Sequence, residues 1–208
     1  RIIALSQSNP LKAIAELVEN SIDARARKIT ITRGREHGEH YLAIRDDGDG
    51  VPRDANGIPD FRYVATHICD SVKRRLKSQG TGAGIQGEFG IGLLSFWTVG
   101  ERLVMTSTGS DQRAYQMTMN KGDPSYEMSP RRVLFAERGT EVRISPLLEG
   151  IRTLSGEKIQ WYLASELRDR IRSSGVRISV TAKLARKQLE VEPRQFDAIA
   201  GGLAHAGG

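Results

Sequence analysis

Three polar residues at helical spacing, Glu16, Asn20 and Asp23, could carry chemistry near the start of the chain. Their positions at i, i+4 and i+7 place a carboxylate, a side-chain amide and a second carboxylate on one face of a helix. The opposite face carries an apolar stripe typical of a helix packed on a core, formed by Leu11, Ile14, Val18 and Ile22. Taken alone, the polar face is also typical of a solvated surface, so its function depends on the rest of the chain.

A second polar motif, Asp46-Asp47-Gly48-Asp49-Gly50, follows residues 41–45, which alternate as a strand. A carboxylate at a strand end followed by alternate glycines allows the backbone to approach a flat ligand closely. The alternatives are a plain acidic turn and a calcium loop. A 12-residue calcium loop would need a closing glutamate at position 57, which is Gly57, so the sequence disfavours calcium.

A glycine-rich segment between residues 80 and 92 leads into an apolar stretch. Such a density of glycine costs backbone entropy, so the segment is either a linker or is ordered by a ligand bound to its amides. The apolar residues around Phe89 favour the second reading, and a glycine-rich loop that opens a helix can cradle phosphate. There is no Gly-Lys-Ser/Thr motif, and no strand directly precedes the loop as a dinucleotide fingerprint requires. The glycines are Gly80, Gly82, Gly84, Gly87, Gly90 and Gly92.

The elements that must position these residues can be predicted in order. Asn9-Pro10 begins a first helix that we expect to end near Arg27. Residues 28–32 and 41–45 alternate as two neighbouring strands around a polar turn at 34–38. Asp60 is expected to cap a second amphipathic helix that ends in the basic run 73–77.

Composition bounds the class of protein. The 208 residues, with 38% hydrophobic and 27% charged, favour one soluble globular unit. The single cysteine excludes an internal disulfide framework and favours a reducing, cytoplasmic location. The most apolar segment, 89–99, is far shorter than the roughly 20 residues of a membrane span, so we expect no membrane-spanning segment and no insertion into a membrane.

The net charge of +6 favours an anionic partner, either nucleotide phosphate, nucleic acid or an acidic membrane surface. Aromatic residues make up only 6% of the chain and are not interleaved with the basic residues, as a stacking platform for single strands requires. Binding of nucleic acid is therefore possible but not indicated.

The ordered set of motifs closely resembles the Bergerat-fold or GHKL ATPases, which include gyrase B, the large heat-shock chaperones, MutL and the sensor histidine kinases. The motifs are the Glu16/Asn20/Asp23 helix, Asp46-x-Gly-x-Gly after a strand, and Gly87-x-x-Gly-x-Gly opening a helix. Residues 138–142 resemble the family's late Gly-Thr strand. A helix over 157–171, a stop at Gly175 and a strand over 176–181 are similar to the end of the chaperone N-terminal domain.

The resemblance implies roles for the residues of the first helix and the acidic motif. Glu16 corresponds to the general base that activates water, and Asn20 to the single protein ligand of Mg²⁺. Magnesium normally keeps several waters and substrate phosphates as ligands, which suits one amide oxygen from the protein. Asp46 corresponds to the acid that accepts from the exocyclic amine of adenine, and Asp23 to a group beneath the base.

The resemblance also implies the rest of an ATP site. Gly50 would leave room for the adenine ring, and Thr140 would bond to the same edge of the base. The glycines from Gly80 to Gly92 would form the phosphate-binding lid, with Phe89 shielding the ligand. Lys73 corresponds to a lid-proximal lysine of MutL-like members.

The implied fold is an α/β two-layer sandwich with helices on one face of a mixed, mostly antiparallel sheet. Residues 1–185 would form the ATPase domain and 186–208 a linker or tail. Because the chain begins at Arg1 without methionine and ends in a glycine-rich segment, we expect it to be a piece of a longer protein.

The implied function is slow, Mg²⁺-dependent ATP hydrolysis in a nucleotide-gated clamp that forms an ATP-dependent homodimer. Glu16 favours the hydrolysing branches over the histidine kinases. Residues 16–24 are very like MutL and 87–92 are nearer the chaperones, while MutL's Arg-Gly-Glu-Ala lid sequence is missing. The alternative is a non-hydrolysing structural or DNA-binding module of a topoisomerase-like or DNA-repair complex.

Overall fold

The computed structural model describes residues 9–61, 93–123, 125–133 and 136–194. The predicted second helix after Asp60, Lys73 and the predicted lid with Phe89 fall within residues 62–92, outside the described residues. The lid glycines that lie there are Gly80, Gly82, Gly84, Gly87, Gly90 and Gly92.

The first helix, α1 (Pro10–Asp23), begins as predicted, with the Asn9 side chain accepting a hydrogen bond from the Leu11 amide at 3.0 Å. Its apolar stripe is buried, with Ile14 and Val18 fully covered. The helix ends before Arg27, and the prediction of a longer helix is wrong. Ala24 caps it through a bond to the Asn20 carbonyl, and Arg25 turns into left-handed backbone with φ of 62°.

Eight strands form one sheet in the order β5-β4-β3-β6-β2-β1-β7-β8. Every neighbouring pair is antiparallel except β1 and β7, which are parallel. The predicted strand pair at 28–32 and 41–45 is a hairpin of two longer strands, β1 and β2. The strands are β1 (Lys28–Glu36), β2 (Glu39–Asp46), β3 (Arg102–Thr108), β4 (Ala114–Asn120), β5 (Tyr126–Arg131), β6 (Gly139–Ile144), β7 (Arg177–Ala182) and β8 (Lys187–Glu190).

The core lies between one face of this sheet and the helices. Apolar side chains stand opposite one another from strand to strand on that face, in a row formed by Val180, Ile31, Ile44, Val142, Met105 and Met117. All six are buried. The predicted sandwich, with helices on one face of a mixed, mostly antiparallel sheet, is confirmed.

The closing helical segment differs from the prediction of one helix over 157–171. It divides into α2 (Gly156–Glu166) and α3 (Arg168–Ser174), because the fully buried Leu167 departs from helical geometry with ψ of 14°. Gly175 ends α3 in left-handed backbone, as predicted. Strand β8 lies in the segment predicted as a linker or tail and pairs with β7, so the boundary drawn at residue 185 would fall in the turn of this hairpin.

Two 3-10 helices, Leu93–Thr98 and Glu149–Ile151, complete the described structure. Within the described ranges no helix has both the length and the apolar character needed to span a bilayer.

Candidate functional site

At one end of the sheet face that packs against the helices, polar side chains replace the apolar ones. Asp46, at the end of β2, stands opposite Ile29, and Ser107 of β3 stands opposite Thr140 of β6. Asp46 and Ser107 are both buried. The Thr140 amide donates to Asp46 Oδ1 at 3.2 Å, which joins β6 to the end of β2.

The Asp46 carboxylate is held by donors from three separate elements. Ser21 Oγ on α1 donates to Oδ2 at 2.6 Å, and the amides of Gly48 and Thr140 donate to Oδ1. Burial raises the pKa of Asp46 above its ordinary value, against the opposing effect of these three hydrogen bonds. The result is a buried acid with a fixed orientation.

A cavity of about 560 Å³ borders Asp46, within the size range of small-molecule sites. Polar groups from α1, from the acidic loop (residues 46–50) and from β6 line this cavity, and apolar side chains form the remaining walls. It is lined by Leu17, Asn20, Ser21, Asp23, Ala24, Arg25, Asp46, Asp49, Gly50, Val51, Pro52, Met105, Thr140 and Val142.

The three polar residues of α1 differ in their surroundings. Glu16 is only 5% exposed, so it does not belong to a solvated face, although it is not among the described residues that line the cavity. Asn20 lines the cavity, and its amide nitrogen is buried with no hydrogen-bond partner among the described residues. Asp23 lies at the rim, where its carboxylate pairs with Arg170 of α3.

The three carboxylates of the acidic motif have separate surroundings. Asp46 faces the cavity. Asp47 accepts from the amides of Arg27 and Lys28 at 2.7 and 3.0 Å, and although partial burial opposes it, these bonds hold the pKa of Asp47 below its ordinary value. Asp49 pairs with Arg25 and Arg138.

Gly50 lets the acidic loop pack against β3. Its φ of +80° favours glycine, and a Cβ there would lie 2.9 Å from Ser107 Oγ and 3.0 Å from the Thr108 carbonyl oxygen. The next amide, Val51, donates to Ser107 Oγ at 2.8 Å. The contacts that require glycine are therefore with the strand.

The sequence reasoning missed Ser21, Ser107 and the arginine partners of Asp49. Ser21 occurs inside the motif that carries Asn20 and Asp23, so its proximity to the site could have been inferred. Ser107 continues the inward alternation of Leu103 and Met105, and a serine at that inward position was the available signal. The pairing of Asp49 with Arg138, 89 residues later, has no local signal.

The model of the histidine kinase-, DNA gyrase B- and HSP90-like ATPases matches residues 8–131 of this chain. This match spans more than half of the chain. The matched residues include both α1 and the acidic motif that begins at Asp46, and the two meet at the cavity. The chain therefore belongs to this family of GHKL ATPases.

Curated relatives of the chain include DNA mismatch repair proteins MutL. That of Ehrlichia chaffeensis is 30% identical over 121 residues, covering 58% of this chain and 17% of the relative. That of Shewanella baltica is 32% identical over 124 residues, covering 58% and 18%. That of Fervidobacterium nodosum is 29% identical over 163 residues, covering 76% and 26%. The chain thus spans about a fifth of the length of the curated relatives it matches.

Proposed function

We propose that this chain binds Mg·ATP in the cavity beside Asp46 and hydrolyses it slowly. The observation that carries the proposal is a buried carboxylate with fixed orientation at the wall of a cavity that the side-chain amide of Asn20 also lines. Membership in an ATPase family supports ATP as the ligand. Slow turnover is expected because positioning supplies most of the catalysis of phosphoryl transfer, and other domains or a partner subunit would complete the site.

In this proposal Asp46 accepts from the exocyclic amine of adenine. The ionised carboxylate can only accept, which suits an amine donor. Thr140 lies beside it and bonds to the same edge of the base. Gly50 forms part of the wall next to the ring, and Asp23 supports the site from the rim.

Asn20 would hold Mg²⁺ through its side-chain oxygen, and the metal would supply neutralisation of the negative charge on the phosphates. Its Nδ2, buried beside the cavity with no hydrogen-bond partner among the described residues, is a donor that suits a phosphate oxygen, while Oδ1 of the same amide is the atom that would ligate the metal. Among the described residues no cluster of three histidine, cysteine or acidic side chains could hold a metal by itself. A site that takes one protein ligand and completes its shell with phosphates and water needs no such cluster.

Glu16 would act as the general base, one helical turn before Asn20. A carboxylate at this spacing can address a water in line with the terminal phosphate. Lys73, Phe89 and the glycines from Gly80 to Gly92 would cover the phosphates as a lid, a part of the proposal that rests on the sequence alone.

The test of hydrolysis compares the wild-type chain with Glu16→Gln. Loss of the base should lower the rate of phosphate release at least tenfold while ATP still binds, because the amide is isosteric but cannot take a proton. Binding is measured by calorimetry with ATP and Mg²⁺, and turnover by phosphate release. Unchanged turnover in Glu16→Gln would remove Glu16 as the base.

We further propose that ATP promotes dimerisation of the full-length protein, as a nucleotide-gated clamp. Sedimentation of the longer protein with a non-hydrolysable ATP analogue should give a dimer, and with ADP a monomer. A sedimentation coefficient independent of nucleotide would contradict the clamp.

A DNA-related role for the whole protein is the second candidate, favoured by the MutL relatives and the net charge of +6. Titration with duplex DNA at two salt concentrations, with and without ATP, separates the two candidates. Steeply salt-dependent DNA binding without any ATP binding would favour a non-hydrolysing module of a DNA-repair or topoisomerase-like complex.

A further inference from the structure

At the edge of the cavity, two guanidinium groups share one carboxylate that lines it. Arg25 and Arg138 both pair with Asp49, Arg25 through Oδ2 and Arg138 through Oδ1. Arg25 and Asp49 line the cavity, and Arg138 directly precedes the strand that carries Thr140. The side chains of Arg25 and Arg138 are 83% and 52% exposed, so both charges face solvent. Arg138 lines a neighbouring cavity that shares Asp46 and Thr140 with this one.

The other carboxylates near the rim are engaged elsewhere. Asp23 pairs with Arg170, and Glu137 pairs with Arg45. Asp47 accepts from the backbone amides of Arg27 and Lys28. Within the described part of the chain, Asp49 is thus the carboxylate that balances the two rim arginines, and this group of three side chains carries one net positive charge.

The backbone at position 25 does not favour arginine. Its φ of 62° lies in the left-handed region directly after a helix end, where glycine is preferred and other residues are strained. What arginine contributes at this position is therefore its exposed side chain. That side chain lies at the entrance of the cavity.

We propose that Arg25 and Arg138 form a cationic rim that draws the anionic part of a nucleotide to the cavity, and that Asp49 limits this attraction by neutralising one of the two charges. The inference rests on the proposed ATP site and assigns to Arg25, Arg138 and Asp49 the control of how fast the charged ligand enters it. A charged rim raises the association rate of an oppositely charged ligand and has little effect on an uncharged one.

The experiment measures association rates of ATP and adenosine with the 208-residue chain by stopped flow, at low and high salt. Arg25→Gly removes the charge and suits the left-handed backbone, so it should leave the unfolding midpoint unchanged or higher while slowing ATP association about threefold to tenfold at low salt. Adenosine association should not change, and the effect on ATP should shrink as salt screens the rim.

Asp49→Asn supplies a prediction of opposite sign. It leaves both guanidinium groups unbalanced, so ATP should associate about threefold faster than with the wild-type chain at low salt. A role of the rim in holding the fold together would instead slow binding in both variants.

Arg186→Gly is the matched control. Arg186 has a similar φ of 52°, but it lies in the turn between β7 and β8 and is not among the residues that line the cavity. The change in charge and in backbone freedom is the same, and ATP association should match that of the wild-type chain to within about twofold.

The outcomes distinguish a failure of the proposed cationic rim from a failure of the proposed ATP site. Equal losses for ATP and adenosine in Arg25→Gly, or slower ATP association in Asp49→Asn, would overturn the rim while the wild-type chain still binds ATP. A wild-type chain that binds neither ATP nor adenosine would overturn the proposed function itself.

Discussion

Two buried ionisable side chains lie towards opposite ends of the same strand pair, and they differ in what surrounds them. Asp46 is 6% exposed at the end of β2, and Arg33 is 5% exposed in β1, on the same face of the sheet. Arg33 donates to the carbonyls of Gly34 and Arg152, both at 2.9 Å, and burial lowers its pKa. Asp46 also has hydrogen-bond partners, but it borders a cavity of about 560 Å³.

The comparison separates a structural buried charge from one available to a ligand. Arg33 joins the β1–β2 hairpin to the segment after Ile151, because its Nη1 and Nη2 groups donate to backbone carbonyls of both. Asp46 is oriented by α1, its own loop and β6, and the space next to it is open to a ligand. Burial of a charge alone therefore does not define a site; the adjoining cavity does.

The largest expected effect on stability is at Arg33. Arg33→Ala should lower the free energy of unfolding by roughly 2–4 kcal/mol, because it removes buried packing and leaves carbonyls without donors. ATP affinity should stay within about twofold, because Arg33 lies away from the cavity. Urea denaturation and calorimetry measure the two quantities. Arg35→Ala, an exposed neighbour on the same strand, is the control and should cost less than about 0.5 kcal/mol.

A comparison of Gly50 with Gly57 separates the stability cost of a steric contact with β3 from the cost of backbone strain. Both have φ near +80°, but a Cβ at Gly50 would contact Ser107 and Thr108, whereas a Cβ at Gly57 meets nothing within 4 Å. Gly57→Ala should cost about 1 kcal/mol from backbone strain alone, and Gly50→Ala roughly 2–3 kcal/mol because the contact adds to the strain. Equal costs in thermal or urea unfolding would mean that β3 yields to the added methyl group.

A smaller, pH-dependent effect is expected beside Arg33. His40 Nδ1 lies 3.2 Å from the Arg33 guanidinium, and desolvation, followed by the charges of Arg33, Arg35 and Arg152, lowers the pKa of His40. The neutral ring is thus favoured in the folded state. The stability this contributes is present above the unfolded pKa of about 6.5 and is lost as the pH falls below it.

His40→Asn tests this pH dependence, since the amide can accept from Arg33 and does not titrate. Between about pH 7 and 5, the unfolding free energy of the wild-type chain should fall more steeply than that of the variant. Parallel curves would show that His40 does not contribute to acid sensitivity.

Local signals predicted much of the fold. The Asn9 cap, the apolar stripe of α1 and the alternation of β1 and β2 act over a few residues, and all three are present in the structure. Short-range patterns do not predict where a helix ends when a tertiary contact sets that end. The end of α1 is an example, because the Asp49 amide donates to the Ala24 carbonyl at 2.8 Å.

The candidate site likewise contains residues that local patterns could predict and residues that they could not. Asn20 and Asp46 could be brought together from the sequence because each belongs to a motif, and the motifs have a known order in the family that the chain resembles. Ser107, Arg138 and Arg170 reach the site only through the register of β3, the start of β6 and the position of α3. No pattern within a few residues of them predicts those contacts.

The central claim is that Asp46 binds the adenine of ATP, and calorimetric titration of Asp46→Asn with Mg·ATP tests it most directly. Asparagine has the same shape and can still accept from Gly48 and Thr140, so the variant should stay folded, but its amide presents no negative charge to the amine. We predict that ATP affinity falls at least about 100-fold, as expected when a buried charged partner is lost, while Arg33→Ala binds ATP like the wild-type chain. ATP affinity retained in folded Asp46→Asn would contradict the account.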